Sequence, residues 1–280
     1  MIFIDPASSL GEVYPRRPAK LRHRLADGPL FKTPRILDLA RRLPANLVEY
    51  YCADLEIGDG PRDFVANGLS LEETIERIGE CRSWVVLKNV ETDPDYRALM
   101  EECLADIAPC AGAATGAMHR REAFLLLSSP GAVTPFHMDP EHNILLQIRG
   151  AKTMRIYPSH DYSIVTPEQH ERFHEGGHRS LEYREAFEAV GENFDLAPGE
   201  AVYVPVKTPH HVRVAGEPSL SLSLTWRSRS SDADARLHRM NHLLRRLGAR
   251  PLPPGDAPAR DKVKIFAHRI YAKLRRAAKP

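Results

Sequence analysis

The sequence predicts a mainly β protein with helical flanks, its centre a double-sheet jelly roll or barrel. From Glu122 to Trp226 short apolar strands alternate with turns rich in Pro and Gly. Helical periodicity dominates outside that stretch. The 280 residues, 42% hydrophobic and 27% charged, are enough for one large domain with appendages or two small ones, with a composition ordinary for a soluble globular chain.

Taken in order, residues 1–30 are rich in Pro and Arg and predict an extended arm. From Pro34, apolar residues at Ile36, Leu37, Leu39, Ala40 and Leu43 recur at helical spacing. Pro44 interrupts them, and Leu47 to Cys52 is expected to resume the helix. Ser70-Leu71-Glu72-Glu73 reads as a capping box opening a helix through Ile75 and Ile78. Trp84 to Leu87 is a buried strand. Asp93-Pro94 is an N-cap followed by proline at the first helical position, with a helix expected to about Ile107. Strands follow at Ala123–Leu127, Asn143–Ile148 and Lys152–Tyr157. Residues 159–192 read as a long polar insertion with a helix around Tyr183 to Val190. Four more strands are expected at Phe194–Leu196, Ala201–Val204, His210–Val214 and Leu220–Trp226. Leu237, Met240, Leu243, Leu244 and Leu247 then form a helical stripe ended by Gly248. A Pro-rich linker leads to a last helix with Val263, Phe266, Ile270 and Leu274 on one face.

Several function classes lose support at once. A net charge of +2 gives no overall preference for a partner. No run approaches the roughly 18 apolar residues of a membrane span. Met1 to Asp5 shows no basic region ahead of an apolar core, so no signal peptide is expected. The four cysteines, Cys52, Cys81, Cys103 and Cys110, form no C-x-x-C pair and read as reduced thiols of a cytoplasmic protein.

The chemistry concentrates in Thr134-Pro135-Phe136-His137-Met138-Asp139 and, some seventy residues later, His210-His211. An H-x-D pair with a distant histidine is the pattern of a 2-His-1-carboxylate triad, which holds a non-haem Fe(II) by one face and leaves positions open. On a strand, residues two apart share a face, so His137 and Asp139 can point at one ion. Pro140 biases Asp139 towards an extended backbone. In the later segment His210, Val212 and Val214 share the apolar face, and His211 and Arg213 the other. Parity therefore selects His210 as the third ligand. The same test turns Lys152, Met154 and Ile156 inward, and an inward lysine needs an anion to offset its desolvation. A dicarboxylic cosubstrate would supply one. Any one of these histidines alone would read as a satisfied polar residue; three metal-capable residues and an inward lysine in a β-rich context read as a metal site. Zinc accepts the same ligands, but open positions beside an anion-binding lysine favour Fe(II).

The run T-P-F-H-M-D-P-E-H-N-I-L-L-Q-I-R-G-A-K from Thr134 to Lys152 resembles the core of the JmjC/cupin-like 2-oxoglutarate oxygenases, the group that includes asparaginyl hydroxylases. So does Pro198 to Pro205 followed by Pro209-His210-His211-Val212. The resemblance covers about residues 84–228 and keeps H-x-D, the later asparagine and lysine, and the P-G-E…P…H block in order. It implies a double-stranded β-helix (jelly-roll/cupin) core over 123–229, an α/β flank over 31–122, the arm over 1–30 and C-terminal helices over 230–280, a candidate dimerisation element. It implies that His137, Asp139 and His210 bind Fe(II), that Lys152 and Thr134 hold the distal carboxylate of 2-oxoglutarate, and that Asn143 lies beside this cosubstrate. The implied activity is that of a dioxygenase that uses molecular oxygen to hydroxylate a protein or peptide side chain or a small metabolite. The chain departs from the hydroxylase pattern at Thr208 and Pro209, where those enzymes carry aromatics, and at Ser221 to Trp226, which lacks an asparagine that some relatives use. Both departures fall in the pocket wall.

Two further groups stand out. His170, His174 and His178 recur every four residues; the first two could bind a second metal from a helix, but Gly176-Gly177 favours a solvated or lid loop. Glu141 and His142 flank the triad motif as candidates for contacts behind it. From Ala259 the chain carries Arg260, Lys262, Lys264, Arg269, Lys273, Arg275, Arg276 and Lys279 against Asp261 alone. The expectation is an amphipathic helix with a solvated basic face and a stripe packed on a second subunit, not a nucleic-acid platform, since aromatics are few. The rival functions are a cupin isomerase or lyase, for which Lys152 would be an unexplained inward charge, and a non-catalytic binding module, for which the intact triad would be idle.

Overall fold

The computed structural model describes residues 1–60 and 65–277. The arm is built into the fold: β1 (Phe3–Ile4), α1 (Pro6–Leu10) and β2 (Ala19–His23) lead the chain, and β2 buries alternate residues. α2 (Thr33–Arg42) buries the expected stripe of Ile36, Leu37, Leu39 and Ala40. After Pro44 the chain does not resume the helix. Val48–Cys52 is strand β3, because Val-Glu-Tyr-Tyr-Cys carries β-branched and aromatic side chains and a partner strand lies beside it. α3 (Leu71–Glu76) opens on a full capping box, Glu73 N donating to Ser70 Oγ (3.2 Å) and Ser70 N to Glu73 Oε2 (2.9 Å). β4 (Ser83–Leu87) follows, then α4 (Pro94–Thr115). α4 runs two turns past Ile107 and accommodates Pro109; it stops at Gly116, whose φ of 84° suits glycine.

The central strands are β5 (His119–Ser128), β6 (Val133–His137), β7 (His142–Arg149) and β8 (Lys152–Ile156). In the insertion the α-helix is α5 (Pro167–His174), capped by Thr166 and Gln169 and led by Pro167; Glu185–Ala189 forms only a 3-10 turn. The solvated loop expected around His170 and His174 is therefore a helix, with both rings buried. Then come β9 (Glu192–Leu196), β10 (Glu200–Val204), β11 (His210–Val214), β12 (Ser219–Arg227), α6 (Arg229–Arg246) and α7 (Pro258–Ala277). Lys279 of the basic segment lies outside the described residues.

The strands form two antiparallel sheets. One has the order β1-β2-β10-β7-β12-β5-β4-β3, the other β6-β11-β8-β9. From β5 to β12 the chain passes repeatedly from one sheet to the other, as in a jelly roll. The outer face of the large sheet, with Leu125, Ile144, Leu146, Leu222, Leu224 and Trp226, packs under α1, α2 and α4 in the main core. Between the sheets the apolar cluster is small: Leu145, Met154, Ile156, Phe194, Leu196, Val202, Val204 and Val212. The rest of that inner face is polar, which is what a binding cavity between two sheets requires. The insertion covers the outer side of the small sheet with Ile164, Val165, Leu181 and Phe187 against Phe136 and Tyr157. Among the described residues no helix is long and apolar enough to cross a membrane.

Candidate metal centre

His137 ends β6, and His210 opens β11 directly opposite it. Asp139 follows on the segment that crosses to the large sheet. The three side chains offer ligand atoms within 4.8 Å of one another. His137 Nε2 lies 3.6 Å and His210 Nε2 3.8 Å from Asp139 Oδ2. Each ring is fixed from behind: His137 Nδ1 is 2.7 Å from the Pro135 carbonyl and His210 Nδ1 2.9 Å from the Thr208 carbonyl. A carbonyl only accepts, so each Nδ1 carries the proton and each Nε2 presents its lone pair to the common centre. His211 turns the other way, its Nε2 3.1 Å from the Tyr157 hydroxyl.

Burial pushes His210 down to about 3, with the neighbouring His137 adding to it, so its ring stays neutral. Burial raises the Asp139 carboxyl, but its neighbours His137, Arg179 and His210 outweigh it and hold Asp139 far below the ordinary carboxylate range. The donor set is thus two imidazoles, each with Nε2 turned to the common centre, and one carboxylate, on one side of a point whose other side is free of ligand residues among those described. It fits a divalent metal with open positions.

Lys152 opens β8, two strands from β6 in the small sheet. It stands opposite Val214, four residues along from Ile156, which stands opposite His210. Lys152, Met154 and Ile156 are all buried and face inward. Among the described residues the Lys152 ammonium has no ion pair or hydrogen bond, and burial alone lowers its pKa to about 8. Thr134 pairs with Val212, between the His210 and Lys152 levels, so it shares their face, and it is exposed. A register shift between His210 and Val212 makes this work: three residues of β6 span two of β11, so Thr134 and His137 face the same side although an odd number of residues separates them.

Asn143 faces these groups from the large sheet, and its Oδ1 accepts from Ser223 Oγ (2.9 Å). Around it lie inner-face residues of the expected pocket wall to which the sequence assigned no individual role: Ser221, bonded to Gln147 (2.7 Å), and Thr225, whose buried hydroxyl has no partner. The alternation S-L-S-L-T-W was the available signal, since its polar half had to face one side. Arg179, from the insertion, places Nη1 3.2 Å from Asp139 Oδ1, and nothing in the sequence marked it. Backbone bonds from Met138 N to the Arg179 carbonyl and from Leu181 N to the Phe136 carbonyl hold that part of the insertion along β6. Glu141 binds Arg227 through two bonds to Oε1 (2.6 and 3.0 Å), and His142 is buried between Tyr203 and Ser228, both away from the triad's ligand atoms.

The family model of the cupin-like domain matches residues 69–232, more than half of the chain. The chain is 33% identical over 111 residues to the lysine-specific demethylase JMJ30 of Arabidopsis thaliana, covering 38% of this chain and 26% of that protein. To lysine-specific demethylase 8 of Danio rerio it is 29% identical over 102 residues, covering 34% and 25%. The chain thus spans about a quarter of the length of these curated relatives. Among solved structures, ycfD of Escherichia coli superposes with a TM-score of 0.54 at 15% identity, covering 97% of this chain and 68% of that one. A second structure of that protein, described as a ribosomal oxygenase in complex with cobalt and 2-oxoglutarate, gives 0.51 at 15% identity, covering 97% and 67%. At this identity the likeness shows a shared fold.

Proposed function

This chain belongs to the cupin-like domain family, and from that premise we propose that it is an Fe(II)- and 2-oxoglutarate-dependent oxygenase that hydroxylates a protein or peptide side chain. The observation that carries the reading is Lys152: a buried, unpartnered cation on the inner face that also carries the triad. Four residues of strand separate its level from that of His210, about 13 Å at 3.3 Å per residue. A lysine side chain and a five-carbon dicarboxylate can fill that span together. An isomerase or lyase acting on an uncharged substrate would give this ammonium nothing to offset its burial.

In this reading His137, Asp139 and His210 would hold the iron through Nε2, a carboxylate oxygen and Nε2. When bound, iron and 2-oxoglutarate supply the oxidising power that inserts one atom of O2 into a substrate C–H bond, with succinate and carbon dioxide as the other products. The chain's own contribution is orientation. The Pro135 and Thr208 carbonyls fix the two ring tautomers, Arg179 steadies Asp139, Lys152 fixes the far carboxylate, and Thr134 adds a hydroxyl to it. Asn143 and the Ser221–Ser223–Thr225 stripe would line the cosubstrate's other side with hydrogen-bonding groups. The exposure of Thr134 and Arg179 leaves the site accessible from the β6 edge, which suits a side chain presented by a larger partner. The names of the demethylase relatives and of the ribosomal oxygenase support the same substrate class.

Cytoplasmic residence fits four free cysteines. Homodimerisation through α7 fits its apolar stripe, where Val263, Phe266, Ile270 and Leu274 are exposed while the polar Asp261 and His268 are buried. The test of the activity is anaerobic titration of the full chain with Fe(II) and then 2-oxoglutarate. A weak visible charge-transfer band should develop, and succinate should form once oxygen is admitted; absence of both overturns the proposal.

A further inference from the structure

α5 and α6 pack against each other, and each carries two metal-capable residues one turn apart: His170 and His174 on α5, Asp234 and His238 on α6. Residues at this spacing share a helix face, and the two faces meet. His174, Asp234 and His238 offer ligand atoms within 4.8 Å of one another. His174 Nε2 lies 3.9 Å from Asp234 Oδ2, and His238 Nε2 lies 3.6 Å from Asp234 Oδ1. The rings of His174 and His238 stack at 5.1 Å, and that of His170 lies 5.3 Å from His238.

All three histidines are buried, and His174 Nε2 and the Nδ1 atoms of His170 and His238 have no hydrogen-bond partner. An orphaned buried polar group is costly, and native proteins rarely leave several together. Burial keeps these rings neutral, the form that binds metals. The pocket already attracts a cation: Lys207 Nζ sits 2.6 Å from Asp234 Oδ2 and 2.7 Å from His238 Nε2. An ammonium in that position leaves His174 Nε2 without a partner. A divalent ion would take all three donors. Tetrahedral zinc with bonds of 2.0–2.1 Å sets its ligands about 3.4 Å apart, so His174 and His238 each already stand within about 0.5 Å of that spacing from an Asp234 oxygen.

We propose that His174, Asp234 and His238 form a second site for a divalent transition metal of the zinc class, with Lys207 as the resident cation that the metal displaces. The site is independent of the reading given to His137, Asp139 and His210. It stands on the helical insertion and on α6, and a water or His170 would complete the coordination. Lys207 also ties this pocket to the first, since its backbone N–H donates to the Asp139 carbonyl (2.8 Å).

The experiment uses the full chain carrying His210→Ala, so that the first centre does not report. The protein is stripped with a chelator and titrated with zinc alone by calorimetry, and with cobalt(II) alone by its visible absorption. One equivalent should bind, with the intense cobalt bands of four-coordinate geometry. Adding His174→Gln or His238→Gln should weaken zinc at least 100-fold. Adding Lys207→Met, which removes no ligand and frees the pocket of its cation, should tighten it at least tenfold. Absence of a zinc equivalent, or zinc binding that neither glutamine variant changes, overturns the site. If a glutamine variant fails to fold by circular dichroism, the Lys207→Met arm decides: zinc binding no tighter than in the His210→Ala parent overturns the proposal.

Discussion

His137 and His210 stand directly opposite each other across the β6–β11 pairing, their ring centroids 4.2 Å apart, and each is pinned through Nδ1 to the carbonyl two residues before it. The two rings are thus oriented by the same local device on two strands that meet only in the folded sheet. His211, next in sequence, contributes to a separate group with Tyr157 and Glu188. His210→Ala should therefore raise the dissociation constant for Fe(II) by at least about 100-fold, whereas His211→Ala should change it no more than about threefold. Calorimetric iron titration under anaerobic conditions checks both. Equal losses in the two variants would show that the metal does not rest on the face to which His210 belongs.

The Lys152 ammonium is costly where it stands. Its shift from 10.5 to about 8 corresponds to roughly 3 kcal/mol at neutral pH. The sign follows from proton counting: between about 8 and 10.5 the unfolded lysine holds its proton and the folded one does not, so stability rises with pH across that window. Lys152→Met should raise stability at pH 7 by about 1–3 kcal/mol and remove that rise, while abolishing 2-oxoglutarate binding. In the wild-type protein 2-oxoglutarate affinity should fall above pH 8, by up to about tenfold per unit. Urea melts at pH 7, 8 and 9.5 and equilibrium titrations at the same values test the pair. A Lys152→Met protein that binds the diacid normally would remove the lysine from the site.

Much of this geometry follows from strand parity. Parity alone separates His210 from His211 and turns Lys152 inward, because alternation on a strand is a property of the backbone and needs no partner. Thr134 shows where that reasoning stops. Its odd separation from His137 predicts opposite faces, and the register shift in β6 that brings them together arises from the pairing with β11. Val48–Cys52 became a strand because β4 offered it hydrogen bonds, a tertiary cause that local spacing does not carry. In the insertion, Thr166-Pro167 and Gln169 were a readable helix start. The glycines after them only mark where that helix ends. The face of α6 that buries His170 and His174 was invisible until the two helices were packed.

Arg179 reaches Asp139 Oδ1 from the insertion, at 3.2 Å, with more than half of its side chain exposed. A partly solvated pair of this kind is worth little to folding, but it constrains the carboxylate that would take the metal. Arg179→Ala should weaken Fe(II) about 3–10-fold with unfolding temperature unchanged within about 2 °C. Iron titration alongside a thermal melt separates the two effects. A large drop in melting temperature with unaltered iron affinity would assign Arg179 to holding the insertion instead.

His142 gives the fold a defined weakness to acid. Its ring lies parallel to Trp226 (12°, 5.3 Å), with Nδ1 2.9 Å from the Tyr203 hydroxyl and Nε2 3.0 Å from Ser228 Oγ. Burial lowers its pKa to about 4, against 6.5 for an unfolded imidazole. Between those values the unfolded chain binds a proton that the folded chain refuses. The stabilisation is therefore complete above pH 6.5 and is lost as pH falls towards 4, amounting to roughly 3 kcal/mol from this ring. His142→Gln keeps a group that can bond both hydroxyls but cannot titrate. Its stability at pH 7 should drop by about 1–2 kcal/mol through lost stacking, while its decline from pH 6.5 to 4.5 should be shallower than the wild-type curve. Other buried histidines, His211 among them, titrate in both proteins, so the difference between the two curves isolates His142. Parallel curves from denaturant unfolding at pH 7, 6, 5 and 4.5 would show that the acid sensitivity lies elsewhere.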